Sequence, residues 1–295
     1  IMNVDLTGQL GGNGFISQSD SGSTTVVDNC IIDPVSGSNG LVFTGKDQKL
    51  YFTNNLCIRM GHQLNPNDGH FFVTDGEDGV GMDSMVIENN TFNSIGTNLW
   101  AADFTANIHN FVWFNHNTII NMKSQIDWSV YENEYYWTNN LMFNVMTQPW
   151  AVPWGAMPGH DEGYLLPGLI YADTIPGETL PSTRVQFIQY NMHWRNQGFY
   201  DLVDEINNLD DNDTINDVYL QPLIWPTDSA GNREAELFAD DETFPNWKFD
   251  NYSMDVDPGF NDQAIYTQAA NLVEWTKPAS YIHALSFAAD GEYLD

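Results

Sequence analysis

Two stretches of the chain concentrate side chains able to do chemistry. In DGEDGVGMD, the acids Asp75, Glu77, Asp78 and Asp83 stand among three glycines. Carboxylates spaced by backbone-turning glycines suit an oxygen-liganded Ca²⁺ ion, although the ligand series is not that of an EF-hand. A solvated acidic loop is the other reading of the same residues. In PWAVPWGAMPGHDEG, Trp150, Trp154, His160, Asp161 and Glu162 combine aromatic faces with acids. Aromatic faces stack on sugar rings and carboxylates hydrogen-bond hydroxyls, so these five are the carbohydrate-contact candidates. Tryptophans in a proline-rich loop also serve to pin it to the body of a fold.

The remaining candidates for catalysis are thin. LDDNDTIND holds Asp210, Asp211, Asp213 and Asp217 but lacks the glycine and the ligand spacing of a calcium loop. A uronate lyase needs a base, commonly Arg or Lys, and a cation to neutralise the substrate carboxylate. In the first two hundred residues Arg59, Arg184 and Arg195 could supply the base, or could pair with the abundant acids. A glycoside hydrolase needs two carboxylates about 5–10 Å apart. With 40 Asp and Glu, such a pair arises by chance and carries little weight. The sequence has no Ser-His-Asp motif, phosphate loop or dinucleotide fingerprint, and the catalytic residues are left unassigned.

What must position these residues is a repeat. The segments VVDNCII (26–32), FTNNLCI (52–58), IENNTFN (87–93), FNHNTII (114–120), WTNNLMF (137–143) and IQYNMHW (188–194) share one pattern. Each has an apolar residue, two intervening residues, an asparagine and then mostly apolar positions. Aligned on Asn29, Asn55, Asn90, Asn117, Asn140 and Asn191, they recur at 26, 35, 27, 23 and 51 residues. The two long spacings read as insertions, at 61–83 and 147–184. Val26, Phe52, Ile87, Phe114, Trp137 and Ile188 form one predicted apolar column. Ile31, Cys57, Phe92, Ile119, Met142 and His193 form another.

A unit of about 25 residues cannot bury its own apolar face and must stack on its neighbours. Short strands and frequent turns favour parallel β-stacking at about 4.8 Å per layer. Equivalent asparagines would then lie one above another, their amides satisfying each other along the column. Asparagine also tolerates the left-handed backbone of a sharp bend.

In these repeats the chain resembles secreted right-handed parallel β-helix proteins of the pectate-lyase-like type, in which an asparagine ladder occupies one turn. The tail ELFADDETFPNWKFDNYSMDVDPGF (236–260) is similar to bacterial surface β-helix proteins of unassigned function, often exported by the type IX route. The resemblance implies an all-β fold: a β-solenoid over residues 1–200 with an asparagine ladder and long loop insertions. Residues 201–295 would form an acidic extension packed on it as an irregular, short-helical cap. The helices expected there carry Leu202, Ile206 and Leu209, then Ile265, Ala269 and Leu272, at helical spacing. The resemblance also implies a secreted or cell-surface location.

Charge narrows the partners. The formal net charge is −31, and residues 201–295 hold 21 acids against Arg233, Lys248 and Lys277. Such a field repels nucleic acid and anionic membranes, and favours divalent cations such as calcium, or a saline medium. No apolar run approaches 18 residues, so no transmembrane helix is expected. The chain begins at Ile1 without a basic and apolar leader, which points to a signal peptide absent or already removed. Cys30 follows its asparagine by one position and Cys57 by two, so their side chains should point to opposite faces and form no disulfide.

Two functions fit. One is a non-catalytic surface or assembly protein contacting glycan or protein partners, or itself, through its loops. The other is a polysaccharide-degrading lyase or hydrolase.

Overall fold

The computed structural model describes residues 4–5, 14–33, 35–36, 40–61, 71–74, 81–95, 99–102, 109–122, 127–128, 132–145, 147–148, 183–194, 197, 219–220, 242–249 and 254–255. Apart from the single helical position Gln197, the elements formed by these residues are strands. Nearly all lie in three parallel sheets of nine, seven and five strands.

The chain visits the three sheets in turn. From Leu41–Phe43 in the five-stranded sheet it enters Gln48–Thr53 in the seven-stranded sheet, then Leu56–Gly61 in the nine-stranded sheet. It returns to the five-stranded sheet at Phe72–Thr74 and repeats the sequence with Met82–Glu88 and Thr91–Ile95. Each new strand pairs in parallel beside its predecessor: Leu50 with Met85, Met85 with Val112, Val112 with Tyr135. The repeat length of about 25 residues is thus three strands and their bends. The sequence pattern revealed only the two strands beside the asparagine. The third is three residues or fewer in every pass, too short to carry a period. One such strand, Phe72–Thr74, lies inside the stretch 61–83 that reads as an insertion.

Side chains alternate along the strands as the pleat requires. Leu50, Phe52, Met85, Ile87, Val112, Phe114, Tyr135 and Trp137 of the seven-stranded sheet are buried. They share one core with Leu41 and Phe72 of the five-stranded sheet and Cys57, Phe92 and Ile119 of the nine-stranded sheet. Phe52 joins all three, with ring centroids 5.4 Å from Phe71, 5.2 Å from Phe72 and 6.1 Å from Phe92. Burial of each such ring contributes roughly 1.5–3 kcal/mol. Gly40 lets one layer approach the next, since a Cβ there would sit 2.4 Å from the Phe71 carbonyl oxygen.

The bend between the seven- and nine-stranded sheets explains the paired asparagines. The first residue of each pair takes a left-handed backbone: φ is 57° at Asn54, 56° at Asn89 and 55° at Asn139, with His116 and Tyr190 at 53° and 63°. The second residue turns inward. Parallel backbone bonds run on through the bend, as in Asn54 N–H to Glu88 O (3.1 Å) and Thr91 N–H to Asn55 O (2.8 Å). Between them the N–H of the second residue is served by the next layer's side chain. Asn55, Asn90 and Asn117 each donate their backbone N–H to the Oδ1 of the following asparagine, at 2.9, 3.0 and 2.9 Å. Asn140 donates to Asn191 in the same way, at 3.0 Å.

Asn29 is corrected by this register. Val27, not Val26, pairs with Phe52, and Ile32, not Ile31, with Cys57. Val26 is 64% exposed and Val27 8%. Asn29 therefore takes the left-handed position, at φ 55°, and Cys30 heads the inward column, donating its N–H to Asn55 Oδ1 at 2.9 Å. The apolar pairs Val26-Val27 and Ile31-Ile32 fit either register in sequence, and the hydrogen bond to Asn55 decides between them. The two cysteines consequently sit on the same side of the chain, two positions apart in register. Both are free, for that reason and not because they face opposite ways.

The sheets do not end at residue 200. Trp247–Phe249 adds a parallel strand to the seven-stranded sheet beside Val185–Gln189, and Met254–Asp255 adds one to the nine-stranded sheet. Within the long stretch 147–184, Thr147–Gln148 pairs antiparallel with Tyr219–Leu220. Both helices expected from the sequence lie outside the described residues.

Candidate functional site

The outward face of the seven-stranded sheet carries an unusual load of aromatic side chains. Its middle column runs Val26, Tyr51, Val86, Trp113, Tyr136, Phe187, Lys248 across successive strands. Trp113, Tyr136 and Phe187 occupy three adjacent strands, with centroids 5.3 Å and 6.1 Å apart and planes tilted by 47° and 44°. Phe111 completes the group, 6.2 Å from Trp113 in nearly parallel planes and 5.7 Å from Tyr136. All four are half-buried, and Tyr51 lies exposed two strands from Trp113.

Phe111 faces outward because of a local break in alternation. The burial sequence in-out-out-in recurs at Met82-Asp83-Ser84-Met85, His109-Asn110-Phe111-Val112 and Glu132-Asn133-Glu134-Tyr135. Three adjacent strands thus present two consecutive outward residues where the pleat alone gives one. The preceding strand Gln48–Thr53 lacks the extra residue, so the register shifts between Met82 and Ser84.

Polar rims flank the rings. On one side the Lys49 ammonium lies 3.2 Å from Asp83, and Asn133 donates to Asn110 at 2.9 Å. That lysine, followed by smaller contributions from Ser84 and Asn110, holds the Asp83 carboxyl below its ordinary value. On the other side Asp28 accepts from Thr53 and Asn54, both at 2.7 Å, and those bonds lower its carboxyl. Glu88 accepts from Asn115 at 2.6 Å, and Asn115 Oδ1 accepts from Thr138 and Asn139, both at 2.9 Å. Within the strip Tyr136 donates its hydroxyl to Glu134 at 3.3 Å, and partial burial followed by that carboxylate raises the phenol. The face therefore offers ring surfaces for apolar contact, bordered by oriented acceptors and amides.

The chain matches no protein-family model, no curated protein and no solved structure.

Trp150, Trp154, His160, Asp161, Glu162, Asp75, Glu77 and Asp78 lie outside the described residues. Asp83 is described, and its carboxylate is engaged by Lys49 and Ser84. Among the described residues no group of three or more His, Cys, Asp or Glu is placed to hold a metal ion. Arg184 does not reach the surface: it is 5% exposed, its Nη2 is 3.6 Å from Glu132 Oε2, and its Nε donates to the Glu132 carbonyl. The side chain of Arg59 and the whole of Arg195 lie outside the described residues.

Sequence reasoning passed over the ring strip because it sorted apolar residues by the asparagine. The signal was the large aromatics in FVW (111–113), YYW (135–137) and QFI (186–188), where alternation turns Phe111, Trp113, Tyr136 and Phe187 outward and their neighbours Val112, Tyr135, Trp137 and Ile188 to the core. His109 is a buried core residue whose Nδ1 accepts from Met82 N–H at 3.0 Å and whose Nε2 lies 3.4 Å from Thr74 Oγ1. Burial lowers the pKa of His109 to about 3, keeping it neutral in the core.

Proposed function

We propose that this chain is a right-handed parallel β-helix acting at the cell exterior as a non-catalytic surface or assembly protein that binds polysaccharide. Three parallel sheets entered in turn, each pass one strand further on, support the helical reading. So do the amides linked across the bend from Asn55 to Asn191. The single observation behind the function is the connected set of half-buried rings, Phe111, Trp113, Tyr136 and Phe187, on an outward sheet face between polar rims.

A contiguous set of half-buried rings on an outward sheet face, continued by the exposed Tyr51, leaves apolar surface in water and is a mark of a contact site. The carboxylates beside it, Asp83, Glu88 and Glu134, each hold a partner in place. That suits binding better than proton transfer. The formal charge of −31 opposes docking a second copy of the chain or a polyanion on this face.

The test is incubation with a panel of neutral and uronic polysaccharides, following retention together with unsaturated products and new reducing ends. Retention without product is the expected result. Product release that disappears in Glu134→Gln would overturn the non-catalytic reading, and absence of retention on every polysaccharide would overturn the function altogether.

A further inference from the structure

We infer that the ligand of this face is a neutral, extended, equatorially linked glycan lying across the strands, one sugar residue per strand, from Tyr51 to Phe187. The inference rests on the polysaccharide-binding reading and goes further by fixing ligand charge, direction and length. Direction follows from the column. Trp113, Tyr136 and Phe187 recur at the same register on adjacent strands, which lie about 4.8 Å apart, and their ring centroids repeat at 5.3 and 6.1 Å. A pyranose in an extended, equatorially linked chain advances by nearly the same length, so successive sugars meet equivalent surroundings only if the chain runs perpendicular to the strands. A chain laid along one strand would meet Phe111 and Trp113 and then leave the rings.

Charge follows from the rims. Lys49 is drawn to Asp83, while Glu88 and Glu134 add negative charge beside the rings. A uronate would place its carboxylates among these acids in a protein of formal charge −31, whereas hydroxyls can donate to the same oxygens. Length follows from the column's extent. Tyr51, Val86, Trp113, Tyr136 and Phe187 span five adjacent strands and so five sugar residues.

The experiment is calorimetric titration of the full chain with neutral β-1,4-linked gluco-, manno- and xylo-oligosaccharides of one to seven residues, and with oligogalacturonides of the same lengths. Affinity for at least one neutral series should rise through the pentamer and then level off. Trp113→Ala and Tyr136→Ala should each weaken the pentamer roughly three- to tenfold. Tyr136→Phe should retain most of the affinity, which assigns the contact to the ring, and cooperative thermal unfolding of both alanine variants separates loss of the ring from loss of the fold. Affinity that saturates at the dimer, or oligogalacturonides that bind as tightly as the neutral series, would overturn the inference while leaving polysaccharide binding intact. If none of these oligosaccharides and no polysaccharide is bound, the underlying reading falls with it.

Discussion

Asn90 and Asn55 are joined twice: Asn90 Oδ1 accepts the backbone N–H of Asn55 at 2.9 Å and its Nδ2–H at 3.1 Å. Asn90 Nδ2 in turn donates to Asn117 Oδ1 at 3.0 Å and back to the Phe52 carbonyl at 2.8 Å. One buried side chain thus satisfies groups on both neighbouring layers. It replaces the single interlayer backbone bond that the bend removes.

The neighbouring asparagines should therefore respond differently to the same substitution. Asn90→Ala strands a buried backbone N–H and a carbonyl, and should cost roughly 2–4 kcal/mol in urea unfolding. Asn89 is exposed and only has to hold a left-handed backbone, so Asn89→Ala should cost about 1 kcal/mol and Asn89→Gly close to nothing. Equal losses at the two positions would contradict the division of labour.

Tyr190 holds the same left-handed place, at φ 63°, although a bulky residue is disfavoured there. Tyr190→Asn should raise stability by about 1 kcal/mol, read as a higher unfolding midpoint. A lower midpoint would mean that the tyrosine ring supplies more than the strain it causes.

His109 makes a prediction about pH. Its folded pKa of about 3 lies below the ordinary value of 6.5, so between these values the unfolded chain binds a proton that the folded chain does not. Stability must then fall as pH drops through that window, by at most about 1.4 kcal/mol per pH unit. The lowered carboxyls of Asp28 and Asp83 act in the same direction. Their contribution is present above the ordinary carboxylate value and is lost only as pH falls through the folded values. Between about pH 6.5 and 4.5 the histidine therefore stands apart from them. His109→Gln should flatten the dependence of the unfolding midpoint on pH there, whatever its absolute stability. Parallel slopes for the two proteins would count against a buried neutral His109.

Arg184 and Glu132 form an ion pair that is almost wholly buried. Arg184→Met should cost about 3–5 kcal/mol by leaving Glu132 without its cation. Adding Glu132→Gln should recover part of that loss. A mild effect of the single substitution would show that water reaches the carboxylate.

The sequence made the strands beside each asparagine legible because burial repeats there in every layer: Phe52, Ile87, Phe114, Trp137 and Ile188 before it, and Cys57, Phe92, Ile119 and Met142 after it. It misread the first layer, where doubled apolar residues at Val26-Val27 and Ile31-Ile32 erase the period that fixes register. The five-stranded sheet left no pattern, since three residues such as Phe72–Thr74 are all buried and do not alternate. The last layer was hidden for another reason. From Ile188 to Met192 is four residues, but the paired Phe249 to Met254 is five, so the spacing that marks the other layers is not kept there. The candidate site escaped notice because residue type alone does not tell an inward Trp137 from an outward Tyr136. That distinction needs the pairing of the strands.

The claim that this outward face binds glycan is tested most directly by affinity electrophoresis of the wild type and the Trp113→Ala/Tyr136→Ala double variant through gels containing neutral polysaccharides. The wild type should be retarded on at least one of them and the double variant should run as in a gel without polysaccharide, while both still unfold cooperatively above the temperature of the gel. Equal retardation of the two proteins would contradict the assignment of binding to this face.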